Sequence, residues 1–173
     1  MTFDEQESRF REAMATCGPA LGRLAATYEH DPARRTDLLQ DVQVALWRSL
    51  ATFDDRCTLR TWVWRVAHNV AVTHIERSRR FQRRFVTIEA FEDIASDTDG
   101  EATIGERLLL ERLRAAIRRL QPPDAQIMLL YLEGEDARTI ADVTGVSPGA
   151  VSTKVHRIKT LLAARFGAEG GQS

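Results

Sequence analysis

Residues 136–162 read DARTIADVTGVSPGAVSTKVHRIKTLL. Ala141 is followed four residues later by Gly145 and ten residues later by Val151. That is the spacing of a helix-turn-helix: a small residue where the helices touch, glycine in the turn, and an aliphatic residue closing the core. Ser147 is placed to cap the second helix, with Pro148 at its first position. Ile140, Val143, Val146, Val151, Val155 and Ile158 supply the inward contacts. Gly149, Ser152, Thr153, Lys154, His156, Arg157 and Lys159 are left outward, small at the start of the helix and basic further along. A helix that enters the major groove with its first turn and meets phosphates with later cations needs that design. The plainer reading is a helical hairpin with a basic face; agreement of motif and charge favours DNA.

Upstream, Leu109, Leu113, Ala116, Ile117 and Leu120 form an amphipathic stripe that Pro122-Pro123 is expected to stop. A further helix, 124–133, is expected to bury Ile127, Leu130 and Tyr131 and to end at Gly134. From Phe85 to Glu106 there are seven acids and no lysine or arginine, whereas Ser147 to Arg165 holds four cations and no acid. The acidic stretch, with SDTDGEAT at its centre, has the composition of a flexible linker. The chain therefore divides into residues 1–84, an acidic linker 85–106, and a second domain 107–173.

The stretch Leu59–Phe85, LRTWVWRVAHNVAVTHIERSRRFQRRF, carries seven arginines against one acid in a chain whose net charge is −1. Leu59, Trp62, Val63, Val66, Ala67, Val70 and Ala71 make a helical stripe, expected to face the core. Arg60, Trp64, Arg65, His68 and Asn69 fall on the other side, so Trp64 is expected to be the exposed tryptophan of the pair. Two readings fit this stretch alone: a nucleic-acid surface and a solvated basic helix with snorkelling side chains.

The first domain reads as all-helical. Phe10, Met14, Cys17, Leu21, Leu24 and Tyr28 recur in steps of four and three, interrupted by Gly18-Pro19, where a break or kink is expected. Asp31-Pro32 opens another helix, whose buried face is Leu38, Leu39, Val42, Ala45, Leu46 and Leu50. Asp37, Asp41, Val44 and Arg48 line its opposite face, with Gln40, Gln43 and Trp47 beside them. That face is either ordinary solvated surface or a docking face for a basic partner helix; Trp47 beside two acids tilts the reading toward docking. The polar connector Thr52–Thr58 sits at the start of the arginine-bearing helix, where Thr58 is a candidate cap.

With 43% hydrophobic and 28% charged residues, the chain has the composition of a soluble globular protein. No apolar run approaches the roughly 20 residues of a membrane span, and MTFDEQESRF lacks the basic and then apolar pattern of a signal peptide. Cys17 and Cys57 have no CxxC partner and read as reduced cytosolic residues. His30, His68, His74 and His156 are scattered, and no nucleophile triad, phosphate loop or metal cluster stands out. No enzyme activity, cofactor or metal is expected.

The order DLLQDVQVALWRSL, short loop, LRTWVWRVAHNVAVTHIERSRR, acidic linker, then LQPPDAQIMLLYLEGEDARTIADVTGVSPGAVSTKVHRIKTLL resembles the extracytoplasmic-function class of bacterial sigma factors. The resemblance runs from about Phe10 to Arg165, and its specificity lies in both blocks occurring in order. It implies an all-α protein of two small domains, sigma region 2 as a helical bundle and sigma region 4 as a helix-turn-helix, joined by the linker. It implies a cytoplasmic alternative sigma factor that binds core RNA polymerase, recognises the minus-thirty-five and minus-ten promoter elements and promotes transcription initiation.

Position by position, the resemblance assigns Asp37, Leu38, Gln40, Asp41, Val44 and Trp47 to docking on the β′ coiled coil. It assigns the connector residues Phe53, Asp54, Asp55, Arg56 and Thr58 to capture of an unstacked minus-ten base, and Arg60, Trp64, Arg65, His68 and Asn69 to holding that single strand. It assigns Ser147, Pro148, Gly149, Ser152, Thr153, Lys154, His156 and Arg157 to the minus-thirty-five duplex, while Arg77, Arg79 and Arg80 read from their charge as phosphate contacts or plain surface. Implied partners are the polymerase β′ coiled coil and β flap and promoter DNA, duplex and single-stranded, without direct membrane insertion. An anti-sigma factor clamping the two domains is common in the class. Gln43 stands where the class commonly has phenylalanine, Thr73 where it commonly has aspartate, and the tandem tryptophan wedge of housekeeping factors is absent. The competing reading is a homodimeric helix-turn-helix regulator with an N-terminal sensor domain, binding a symmetric operator unaided.

Overall fold

The computed structural model describes residues 2–77 and 106–167, which form seven helices in two compact units. The first unit is a three-helix bundle of α1 (Phe3–Tyr28), α2 (Pro32–Leu50) and α3 (Leu59–Arg77), each packed on the other two. A capping box opens α1: the Glu5 N–H donates to Thr2 Oγ1 (3.3 Å) and the Thr2 N–H to Glu5 Oε2 (2.7 Å). The helix then runs unbroken through Pro19, contrary to the expected break. Pro19 and Ala15, whose carbonyl loses its helical donor to the proline, both lie on the exposed side, where water can take over the lost bond. Cys17, Leu21, Leu24 and Tyr28 are buried as expected, while Phe10 and Met14 are only half-buried.

Asp31 caps α2 by accepting from the Arg34 N–H (3.0 Å), with Pro32 at the first helical position, as its sequence predicts. Leu38, Val42, Leu46 and Leu50 are its buried stripe. Thr58 caps α3 by accepting from the Thr61 N–H (3.1 Å). The inward face of α3 differs from the expected one: Thr61, Val63, Trp64, Ala67, His68, Ala71 and Ile75 are buried. Trp64 is 1% exposed and Trp62 only half-buried, the reverse of the expectation for this pair.

The second unit holds α4 (Glu106–Arg119), α5 (Pro122–Leu132), α6 (Ala137–Thr144) and α7 (Pro148–Gly167), with α5 packed against both α4 and α7. Pro122-Pro123 does more than stop α4: Pro122 stands in the first turn of α5, where its missing N–H costs nothing. Gly134, at φ +83°, closes α5, with the Glu135 N–H donating to the Leu130 carbonyl at 3.1 Å. Tyr131, expected inside, is 37% exposed, and Leu109 is exposed as well. Ala116, Ile117, Leu120, Ile127, Leu130, Ile140, Val151 and Ile158 form the core. The expected linker, 85–106, lies outside the described residues except for Glu106.

Candidate nucleic-acid interface

The helix-turn-helix forms as its spacing predicts. Asp136 accepts from the Thr139 N–H (2.7 Å) to start α6, a bond that holds its carboxyl below the usual range. Gly145 takes φ +75° in the turn, and Ser147 Oγ accepts from the Ala150 N–H (3.3 Å) to start α7. Ile140, Val151, Val155, Ile158 and Leu162 then turn inward. Ser147, Pro148, Gly149, Ser152, Thr153 and His156 are exposed, and Arg157 is half-buried. Lys154 departs from this set. Its Nζ donates to Asp124 Oδ1 at 2.6 Å, and Asp124 is nearly buried, so this cation fastens α7 to α5. Lys159, beyond it, hydrogen-bonds Tyr131 Oη (3.1 Å) and sits over that ring.

On α2, Asp37, Gln40, Asp41, Val44 and Arg48 are exposed as expected. Leu38, expected on that face, is instead fully buried in the stripe beneath it. Trp47 is half-buried, its ring edge-on to Phe3 and Phe10 at 5.6 and 5.5 Å.

The connector and α3 redistribute the residues expected to hold a single strand. Phe53 is 7% exposed, packed on Trp62 with ring centroids 5.3 Å apart, and so serves as an anchor for the connector. The Trp62 indole N–H donates to Ser49 Oγ (2.9 Å) at the end of α2. Asp55 is gripped by both arms of Arg9, at 2.6 and 2.8 Å, which holds its carboxyl below the usual range. Thr58 is the helix cap. Asp54 and Arg56 pair with each other at 3.0 Å and stay largely exposed. On α3, Trp64 and His68 are buried side by side, with Tyr28 edge-on to the imidazole. Burial pushes the His68 pKa down to about 3, so this ring is a neutral core group and not the outward residue expected. Arg60 lies over the Trp64 ring at 5.8 Å, Arg65 is half-buried and Asn69 is exposed. A groove of about 880 Å³ between α2 and α3 brings Asp41, Val44, Asn69 and Arg77 to one place, with Arg34 and His74. Arg79 and Arg80 lie outside the described residues.

Residues 14–81 match the sigma-70 region 2 family and residues 110–162 match sigma-70 region 4. The chain belongs to the sigma-70 family, in its extracytoplasmic-function class. Members bind core RNA polymerase and promoter DNA, and this one is an alternative sigma factor. RNA polymerase sigma factor CnrH of Cupriavidus metallidurans is 27% identical over 168 residues, 92% of this chain and 87% of the relative. ECF RNA polymerase sigma factor SigG of Mycobacterium tuberculosis is 29% identical over 175 residues, 88% of this chain but 45% of the relative. The fold is also that of two solved structures, each with a TM-score of 0.67. One is CnrH in complex with the cytosolic domain of CnrY, at 23% identity and covering 93% of this chain and 89% of that one. The other is the sigma factor RpoE with the anti-sigma factor NepR from Bartonella quintana, at 18% identity, covering 91% and 96%.

The residue of this sigma factor that its sequence concealed is Arg9. It lies 46 positions from Asp55, and nothing in the spacing of α1 marks it as a partner of the connector.

Proposed function

We propose that this sigma factor directs initiation through four surfaces, doing physical work on the promoter and no covalent chemistry. The exposed face of α2, Asp37, Gln40, Asp41 and Val44, docks on the basic β′ coiled coil of core polymerase, with Trp47 at its margin. Asp54 and Arg56 of the connector, with Arg60, Arg65 and Asn69 of α3, hold the minus-ten strand. Trapping an unstacked base costs a few kcal/mol, which stacking and hydrogen bonds must offset. Arg77, with Arg79 and Arg80, neutralises phosphates nearby and makes binding salt-dependent. Ser147, Gly149, Ser152 and Thr153 carry the start of α7 into the minus-thirty-five major groove, with His156 and Arg157 toward the backbone. The hollow of about 320 Å³ with Ile140, Val151 and Val155 at its base and Tyr131, Glu135 and Lys159 at its rim takes the β flap, beside the Ser152 and His156 that face DNA. The factor works in the cytoplasm, where the polymerase is, and an anti-sigma protein holds it inactive, as the complexes of CnrH and RpoE suggest.

The reading rests chiefly on one observation: small polar side chains are exposed just after a capped helix start, where a duplex reader needs them. Run-off transcription with core polymerase on promoters selected from a random library tests it. A promoter-dependent transcript only when the factor is present is expected; its absence, or symmetric operator binding by the factor alone, would overturn the proposal.

A further inference from the structure

The connector between α2 and α3 is short, yet several of its side chains are occupied in holding its shape. Asp55 adopts a left-handed backbone, φ 59°, which L residues take at a cost, least so for Asp and Asn. Something outside the connector must hold it there. Arg9 of α1 does so twice. Its planar fork meets both carboxylate oxygens of Asp55, at 2.6 and 2.8 Å, and its guanidinium carbon lies 5.0 Å from the centre of the Phe53 ring. Phe53 packs on Trp62, and the Trp62 indole is bonded to Ser49, so the grip extends to the end of α2. Asp54 and Arg56, between and beside these anchors, remain toward solvent.

We propose that Arg9 is a positioning residue for strand capture, fixing Asp55 and Phe53 so that the connector meets the unstacked base already shaped. The inference rests on the reading of the connector as part of the minus-ten strand site. A connector freed from Arg9 must be ordered at the moment of capture, and ordering a side chain or two costs roughly three- to tenfold in affinity. Asp55 then acts through Arg9 and not through the base.

The test uses holoenzyme reconstituted with core polymerase. Its template is a fork with a duplex minus-thirty-five element and the minus-ten strand that wild-type holoenzyme selects from a random library, carrying 2-aminopurine in the melting region. Arg9→Gln, Asp55→Asn and the double variant should each lower opening, Arg9→Gln by about tenfold, the double no worse than Arg9→Gln alone because Asp55→Asn removes only a contact that Arg9→Gln already removes. Arg9→Lys should recover part of the loss, and core binding, duplex occupancy and melting temperature should hold. Asp55→Asn, at an exposed position, carries the test if Arg9→Gln folds poorly. Wild-type opening by Arg9→Gln, a larger loss for Asp55→Asn than for Arg9→Gln, or losses that multiply would each overturn the proposal. If wild-type holoenzyme selects no strand and opens nothing, the reading of the site falls first and the proposal with it.

Discussion

Helices α3 and α7 are both basic, near twenty residues long and begun by a hydroxyl cap, yet their sequences are not equally readable. In α7 the aliphatic residues 151, 155, 158 and 162 form one stripe and every other position in the first turns is small or polar, so only one face can turn inward. In α3 apolar or aromatic side chains lie all round, and two stripes compete for the core. The winner holds Trp64 and His68, where Tyr28 of α1 meets the His68 ring across the bundle with Trp64 beside it. Local periodicity fixes a helix face when one stripe is apolar; otherwise the partner helix decides.

Substitutions can break or sharpen that contrast. The largest effect should come from Trp64→Ala, which empties the core of the first unit and should cost about 4 kcal/mol in chemical denaturation. Trp62→Phe, which keeps one six-membered ring at a half-buried position and loses the pyrrole half with its Ser49 bond, should cost about 1 kcal/mol. Equal losses would mean that the two tryptophans share the core.

His68 gives the next effect. Its folded pKa, about 3, lies below the ordinary 6.5, so the unfolded chain takes up a proton that the folded chain rejects. Stability should therefore be full above pH 6.5 and fall, by a few kcal/mol, as pH drops toward 3. His68→Phe should flatten that limb in pH-dependent melting; an unchanged limb would place its origin in the carboxylates. Lys154→Ala should cost about 2 kcal/mol in the second unit by leaving Asp124 nearly buried without its cation. The same change should weaken duplex binding little, whereas a large binding loss without destabilisation would return Lys154 to the DNA face.

Much of the fold was legible because caps are local. Asp31-Pro32, Gly134, Gly145 and Ser147-Pro148 all fall where their backbone chemistry predicts. Pro19 misled because a proline inside a helix is tolerated when the carbonyl it orphans faces solvent, and exposure is a tertiary fact. Tyr131 misled because its hydroxyl and ring are used at the surface by Lys159. Of the residues expected to hold a strand, Asp54, Asp55, Arg56 and Asn69 are exposed and Arg60 and Arg65 half-buried, while Phe53, Trp64 and His68 went inside. Aromatic rings that could stack on bases can equally pack a core, and spacing does not distinguish the two uses.

The central claim is that the two units divide the promoter, the first holding the melted strand and the second reading duplex. The direct measurement compares holoenzymes carrying Asn69→Ala and Thr153→Glu, following minus-thirty-five occupancy by footprinting and opening by 2-aminopurine fluorescence on one template. Thr153→Glu should lower duplex occupancy by at least about tenfold, while Asn69→Ala keeps that occupancy and loses opening. Equal failure of both variants in duplex occupancy would contradict the division.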